Sequence, residues 1–540
     1  MRTGAPGAPW PHRDADHLLV RSAEMASLER RLFDSGLPVE ALMEKAALAV
    51  SRRLLASPPK QAVVLAGPGH NGGDGLVVAR ELHLAGVPTS IWCPFERRKP
   101  LTEAHLRHAR WLGIPVLTED PDPRTGDLWV DGLFGIGQNR PPGPRLEAVL
   151  SERQRERPQR LVAIDGPTGI CADTGRCLGE TAASAVTTYA IGLIKQGFVQ
   201  DAALRWVGRL ERIDLGLPAS LLAGLPPDQP LGLGFTAPLA EADRRSAPWP
   251  AIDPAAAKYH RGRLLVVAGS RRYRGAALLA LAGASAAGCG SLRAALPAEV
   301  AEALWAVEPH VVLEPPLAAN GDGGLDLASL APASLERLDA VLIGPGLGGT
   351  GGLERADAWG RLRDFPGLLL IDADGLNRLA AGIAGTPTAA AWLRGRGGPT
   401  WITPHPGEFA RLFPDHAARP PLEAAARAAE DSGAAVLLKG ARSVVAAPDG
   451  HRWQLLRACS RVARAGLGDV LAGYAAARGA MVMAAGGEIP SAHHLAAAVL
   501  DHAQAGFAAV RREGAGAATP QAVAAALGRG SPMCGFAITS

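Results

Sequence analysis

Asp165 closes an apolar run and opens Asp165-Gly166-Pro167-Thr168-Gly169 in a chain of 540 residues. A carboxylate at the end of a buried strand, followed by glycines, suits general acid/base chemistry on a bound ligand. Two further loops share that plan. Asp131 opens a run through Gly135, Ile136, Gly137, Gln138, Asn139, Arg140 and Pro141. Upstream, Ala62–Leu65 leads into Gly67-Pro68-Gly69-His70-Asn71-Gly72-Gly73-Asp74-Gly75, with a helix expected from Gly75. Glycines entering a helix present bare N–H groups, a cradle for phosphate or ribose. The run is neither G-x-G-x-x-G nor a Walker loop, since no G-K-[ST] follows. Asn71, Asp131 and Thr168 offer oxygen donors suited to a hard cation. The competing reading, that each Asp only caps a turn, weakens when three such loops converge on one sheet edge.

The second half repeats the logic with different residues. Val266–Ser270 runs into Tyr273-Arg274-Gly275-Ala276, and Ile343-Gly344-Pro345-Gly346-Leu347-Gly348 again ends an apolar run with glycines. Asp372-Ala373-Asp374 places carboxylates at the next run's end, and Thr403-Pro404-His405-Pro406-Gly407-Glu408 supplies a candidate ligand in His405. Lys439-Gly440-Ala441-Arg442-Ser443 follows Leu438, and Ala465-Gly466-Leu467-Gly468-Asp469 opens a helix. Successive N–H groups there can hold charge developing on a transferred phosphoryl group. Asp469 could cap that helix or take a proton from an attacking hydroxyl.

Elements must exist to aim these groups. Helices are expected from about Ser22 and over Val39 to about Leu55, where apolar residues recur near every 3.6 positions. Strand-like segments follow at Ala62–Leu65, Ser90–Cys93, Leu128–Val130 and Leu161–Ile164. A second series runs through Leu264–Ala268, Val341–Ile343, Leu368–Ile371, Trp401–Thr403 and Val436–Leu438. Apolar strands alternating with helices argue for parallel sheets covered on both faces. Residues 219–252, rich in Pro, Gly, Ala and Leu without a period, read as a linker between residues 1–218 and 253–540. Residues 1–16 read as a disordered lead, and Asp469 to Leu527 as helices of small residues.

Composition narrows the function class. Hydrophobic residues reach 47% and charged residues 20%, so wholesale disorder is excluded. Net charge is +4 and the arginines are scattered, which gives nucleic-acid binding no support. Lysine occurs only at 45, 60, 99, 195, 258 and 439. Coding drift towards arginine explains the bias, yet Lys258 and Lys439 fall inside motifs and Lys195 near one. Six cysteines without metal-ligand spacing suit a reduced, cytoplasmic protein. Met1 to Val20 carries Pro, Asp and His where a signal peptide needs an apolar core. Gly275–Leu292 is broken by Gly and Ser, so no membrane span is expected.

The motifs of the first half resemble the epimerase module of the NAD(P)H-hydrate repair enzymes, over about 22–218. The carriers are N-G-G-D-G at 71–75, D-x-L-F-G at 131–135 with Arg140-Pro141, D-x-P-[ST]-G at 165–169, Glu24-Met25 and Leu42-Met43-Glu44. The resemblance implies a Rossmann-like three-layer domain. His70, Asn71, Gly72, Gly73 and Asp74, with 135–141, would hold the dinucleotide. Asn71, Asp131 and Thr168 match that family's potassium ligands, and Asp165 its substrate-binding acid. His70 stands where Asn is common, and Gln196 follows Lys195 where Pro is usual.

The second half, about 253–530, resembles the dehydratase module of the same enzymes, a ribokinase-like three-layer α/β domain. By that resemblance Ala276, Gly346, His405 and Asp469 contact the hydrated dinucleotide. Lys439, Gly440, Ala441, Arg442, Ser443 and Gly468 contact ADP or ATP, with Mg2+. The chain departs from G-G-T-G-D preceded by N-x-G-M-A-T: Cys459, Arg464, Ala465 and Leu467 replace Asn, Thr, Gly and Thr. Arg464 could then serve as a charged phosphate contact. The implied substrates are NADHX and NADPHX, with no nucleic-acid or membrane partner and a homo-oligomer expected. Two alternatives stay open, a ribokinase-type alcohol kinase and a nucleotide-binding protein with a decayed anion hole.

Overall fold

The computed structural model describes residues 10–321, 323–349 and 354–530. Two compact units emerge: Arg13–Pro230, and a second joining residues 10–12 to the chain from Leu231 onward.

The Arg13–Pro230 unit is built on seven parallel strands. Across the sheet they run Val116–Leu117, Thr89–Trp92, Ala62–Ala66, Leu128–Gly132, Leu161–Ile164, Thr187–Ile191 and Arg209–Ile213. The central strands are buried along their whole length, hence their unbroken apolar runs. Alternate side chains face opposite layers. Val63, Leu65, Trp129, Leu161 and Ala163 share one core with Leu146, Val149 and Leu150 of helix Pro144–Glu156. Val64 points the other way, against Gly75 of helix His70–Leu84. A separate parallel pair, Leu19–Val20 with Ile194–Lys195, secures the unit's first residues.

The second unit carries ten strands in the order Leu231–Leu233, Arg452–Leu455, Val444–Ala446, Ala435–Leu438, Thr400–Ile402, Leu368–Ile371, Ala340–Ile343, Arg263–Val267, Ser291–Ala295 and Val312–Leu313. Pairing is parallel except where Val444–Ala446 runs against both neighbours. Leu265, Val341, Ile343, Leu369, Ile371 and Val436 share a core with Trp359, Leu376, Phe409 and Ala425 on one face. On the other, Leu368 and Trp401 meet Gly479 of helix Leu467–Ala485. Each unit is therefore a helix–sheet–helix sandwich.

Two expectations change. Of the lead, residues 1–9 lie outside the described residues, but 10–16 is tied down. The Trp10 indole donates to the Asp243 carbonyl at 2.9 Å, and the Arg13 guanidinium to the carbonyls of Pro226 and Pro227 at 2.7 Å each. The stretch 219–252 holds helix Ala219–Leu222, strand Leu231–Leu233 and helix Ala237–Arg245, the last capped by Thr236. The elements of three and four residues are too short to show a period, and helix Ala237–Arg245 carries Leu239 as its one large apolar side chain. No described helix is long and apolar enough to cross a membrane.

Candidate active sites

Helix His70–Leu84 starts five residues earlier than expected, so Asn71 and Asp74 stand in its first turns rather than in a loop. Close backbone contacts allow this. A Cβ on Gly67 would lie 1.6 Å from the Leu133 oxygen, and one on Gly72 would lie 1.9 Å from the Gly67 oxygen. Only glycines let this turn nest against the strand-end loop at 132–133.

Asp131 ends strand Leu128–Gly132 and is fully buried. It accepts from the Thr168 hydroxyl and amide at 2.8 Å each and from the Leu133 amide at 3.2 Å. Burial still pushes its carboxyl up to about 6, against those hydrogen bonds. Asp165 sits at φ 60°, a strained angle for a residue with a side chain. Its Oδ1 accepts from Lys195 Nζ at 2.6 Å and from the Ile191 amide at 3.2 Å. Lys195 is wholly buried and also donates to the Ile191 carbonyl at 2.6 Å. A Cβ on Gly135 would stand 3.3 Å from Asp165 Oδ2 and 3.4 Å from Asn71 Cγ, so the three loops meet.

Asp165 and Ile191 border a cavity of about 1020 Å³, lined also by His70, Asn71, Asp74 and the whole of 135–141, whereas Asp131, Thr168 and Lys195 do not line it. Its size suits a large ligand. Gly72 and Gly73 lie behind it, packed on Gly67 and Met43. Gln138 is largely committed within the protein. Its amide donates to the Phe134, Gly135 and Pro167 carbonyls, and its oxygen accepts from the Gly169 amide at 2.6 Å. Both polar atoms of the Asn71 side chain are buried without a hydrogen-bond partner. An amide oxygen without a partner is the kind of oxygen donor that hard cations take.

In the second unit, Asp469 stands in the first turn of helix Leu467–Ala485, after Gly466 at φ 93°. Burial, then the nearby Asp372 charge, pushes its carboxyl up to about 7, while Lys439 pulls it down. Lys439 Nζ donates to Asp372 Oδ1 at 2.7 Å, and the Thr403 hydroxyl donates to that oxygen at 2.8 Å. A Cβ on Gly468 would be 3.3 Å from Lys439 Nζ, which sets this ammonium against the helix N-terminus. Gly346, at φ 65°, abuts Ala276: a Cβ there would fall 2.8 Å from the Ala276 methyl. The Gly348 amide donates to Asp374 at 2.8 Å, linking that loop to the carboxylates.

The other expected residues are less free. His405 caps helix Pro406–Leu412, its Nδ1 accepting from Gly407 and Glu408 amides at 3.0 and 3.3 Å. Gly440 and Ser443 close their own turn through the Ser443 hydroxyl, with exposed Ala441 and buried Arg442 between them. Arg464, expected as a charged phosphate contact, has one nitrogen engaged within the protein. Its guanidinium donates to the carbonyls of Ala515 and Gly516, at 3.3 and 2.7 Å. Those carbonyls lie in the connection between helices Ala492–Glu513 and Pro520–Gly530.

Comparison with known proteins finds two families along the chain. Residues 264–528 match the family described as NAD(P)H-hydrate dehydratase, and residues 39–197 the family described as YjeF-related protein N-terminus. A bifunctional NAD(P)H-hydrate repair enzyme of Gloeobacter violaceus is 43% identical over 84% of this chain and 87% of its own. One from Synechocystis is 38% identical over 91% and 90%. The chain belongs to the bifunctional NAD(P)H-hydrate repair enzymes. Among solved structures, the ADP/ATP-dependent NAD(P)H-hydrate dehydratase of Bacillus subtilis, co-crystallized with ATP/Mg2+, aligns at 26% identity. It covers 54% of this chain and 95% of its own, with a TM-score of 0.44.

Two carboxyls of this family member escaped the sequence reading. Glu29, on helix Ser22–Asp34, lines the first cavity. Burial and then the Asp165 charge push it up to about 7. Asp372 was visible only as a strand-end carboxylate; its bond to Lys439 spans 67 positions. The scarcity of lysine was the available signal, and it extends to Lys99, which lines the first cavity.

Proposed function

We propose that the chain repairs hydrated NADH and NADPH in two linked reactions. Hydration at nicotinamide C6 gives R and S epimers, neither of which can pass on hydride. In the Arg13–Pro230 unit, Asp165 moves protons between the epimers while Lys195 holds its carboxylate in place. Asn71, Asp131 and Thr168 would hold potassium, which when bound supplies the positive charge that the Asp131 carboxylate lacks.

In the second unit Asp469 takes the proton of the C6 hydroxyl of the S epimer as that oxygen attacks the terminal phosphorus of ADP or ATP. The bond from phosphorus to the bridging oxygen breaks and the shortened nucleotide departs. The C6 ester then leaves as phosphate while a proton is lost from the neighbouring ring carbon, restoring NADH or NADPH. Lys439 and the first-turn amides at Gly468 and Asp469 face the phosphoryl charge. Magnesium on the nucleotide would neutralise part of that charge. The five described cysteines, all free, support a reducing, cytoplasmic setting.

One observation carries this reading. Each unit brings a part-buried acid–lysine pair, Lys195–Asp165 at 2.6 Å and Lys439–Asp372 at 2.7 Å, to its strand-end loops. The test supplies both NADHX epimers with ADP or ATP and follows NADH absorbance. Recovery with at least one nucleotide is expected, and none with either would sink the dehydratase half. Asp469→Ala abolishes recovery of the S form. Asp165→Ala leaves the S form repairable and strands the R form, after subtraction of spontaneous epimerisation. Nucleotide binding without turnover would point instead to a decayed site.

A further inference from the structure

The loop between helices Leu467–Ala485 and Ala492–Glu513 gathers three side chains that neither candidate site uses. Glu488 lies in the loop, and His493 and His494 stand in the first turn of the second helix. His493 Nε2 is 3.2 Å from Glu488 Oε1, and His494 Nε2 is 3.7 Å from Glu488 Oε2. One donor atom from each residue falls within 4.8 Å of the other two.

His494 makes this more than a surface ion pair. Its side chain is completely buried, and its Nε2 makes no hydrogen bond of good geometry, although the Pro248 backbone lies close enough to act on the ring. A buried ring nitrogen without a partner costs free energy unless something binds it. It faces the Glu488 carboxylate at a distance too long for a hydrogen bond. The two imidazole rings lie 4.1 Å apart, and both Nε2 atoms lie by the Glu488 carboxylate.

We propose that Glu488, His493 and His494 bind one zinc ion, which fastens the loop to the start of the last long helix. Two imidazole nitrogens and one carboxylate oxygen, with water in the fourth position, are a donor set zinc takes readily. No cysteine takes part, which disfavours Cu(I), and two nitrogens disfavour magnesium and calcium. Zinc–ligand bonds of about 2.0–2.2 Å place tetrahedral donors roughly 3.4 Å apart. The Glu488 side chain is 54% exposed and so is free to turn towards the two rings. The Ser491 hydroxyl, 2.8 Å from His493 Nδ1 and 3.5 Å from His494 Nδ1, can accept the proton each ring carries on the nitrogen away from the metal. His494 Nδ1 also accepts from the Ser491 amide at 3.3 Å, a long bond that zinc on Nε2 would break, since Nδ1 must then carry the proton.

The experiment uses the full chain without a histidine tag, stripped with chelator and titrated with zinc chloride by calorimetry. Metal content after gel filtration is read by mass spectrometry. About one zinc per chain is expected, together with a rise in melting temperature on zinc addition. Glu488→Gln and His493→Gln each weaken zinc binding at least ~10-fold and remove that rise. Both positions are partly exposed, so the variants test the site even if a His494 variant fails to fold. Equal zinc binding by wild type and both variants, or none by wild type, would overturn the proposal and leave an ordinary loop–helix ion pair.

Discussion

Asp469 can serve as a base only when it is ionised, and its surroundings decide when that happens. Burial and the neighbouring Asp372 charge raise it to about 7, so at pH 6 most of it holds a proton. The kcat/KM for dehydration should therefore climb between about pH 6 and 8 and level off above. Asp469→Asn should be at least ~100-fold slower and lose that slope. A wild-type profile flat across this range would remove Asp469 from the role. Asp131 presents the same physics without the proton transfer. Its carboxyl moves from 3.8 to about 6 on folding. The folded state then binds its proton more tightly than the unfolded chain, so its contribution to stability is present at low pH and lost as pH rises from about 4 to 6. A cation beside the ionised carboxylate offsets that loss. Potassium chloride should thus raise the melting temperature above that in equal choline chloride, and by more at pH 8 than at pH 5. Asn71→Ala should shrink the difference; an equal effect of both salts in wild type would argue against a potassium site.

Helix Leu467–Ala485 delivers Asp469 because glycines let it press on helix Arg274–Ala286. A Cβ on Gly473 would sit 1.8 Å from the Ala280 oxygen, and one on Gly283 would sit 2.1 Å from the Val470 oxygen. Gly473→Ala must therefore separate the helices, at about 1–3 kcal/mol, and move the first turn that carries Asp469. Thermal unfolding and the dehydration rate should both fall while epimerisation stays unchanged. Gly487→Ala, with nothing within 4 Å, is the control and should be neutral within about 0.5 kcal/mol. Unchanged dehydration in Gly473→Ala would show that the crossing does not set the site. The same element shows what was legible in the sequence. Its small residues announced a helix, and Gly-Leu-Gly-Asp announced its start. That its glycines answer a helix two hundred residues earlier is a tertiary fact with no local trace. The start of helix His70–Leu84 was misread for a related reason. Gly72, Gly73 and Gly75 are poor helix formers alone, and packing on Gly67, Met43 and Val64 holds them there. Strand-end aspartates were legible because unbroken apolar runs stop at them. Glu29 was not, because nothing on its own helix distinguishes it from a solvated glutamate.

At the scale of the molecule, each unit has its own sheet, its own core and its own acid, and the reading assigns one reaction to each. The intermediate between them is a free epimer: the first unit changes only the configuration at C6, and the second accepts the S form. Nothing in that chemistry requires both units to lie on one chain. Asp165→Ala should carry a working dehydratase, and Asp469→Ala a working epimerase. Alone, the first consumes the S form and then slows to the spontaneous rate of epimerisation. The second yields no NADH at all. An equimolar mixture, supplied with nucleotide and both epimers, should convert the whole pool to NADH at a rate approaching that of the wild type at the same site concentration. Absorbance follows the product, and chromatography follows the remaining R form. If the mixture stalls with R unconverted while each variant keeps its own half-reaction, the epimer must pass within one chain, and fusion is then part of the mechanism.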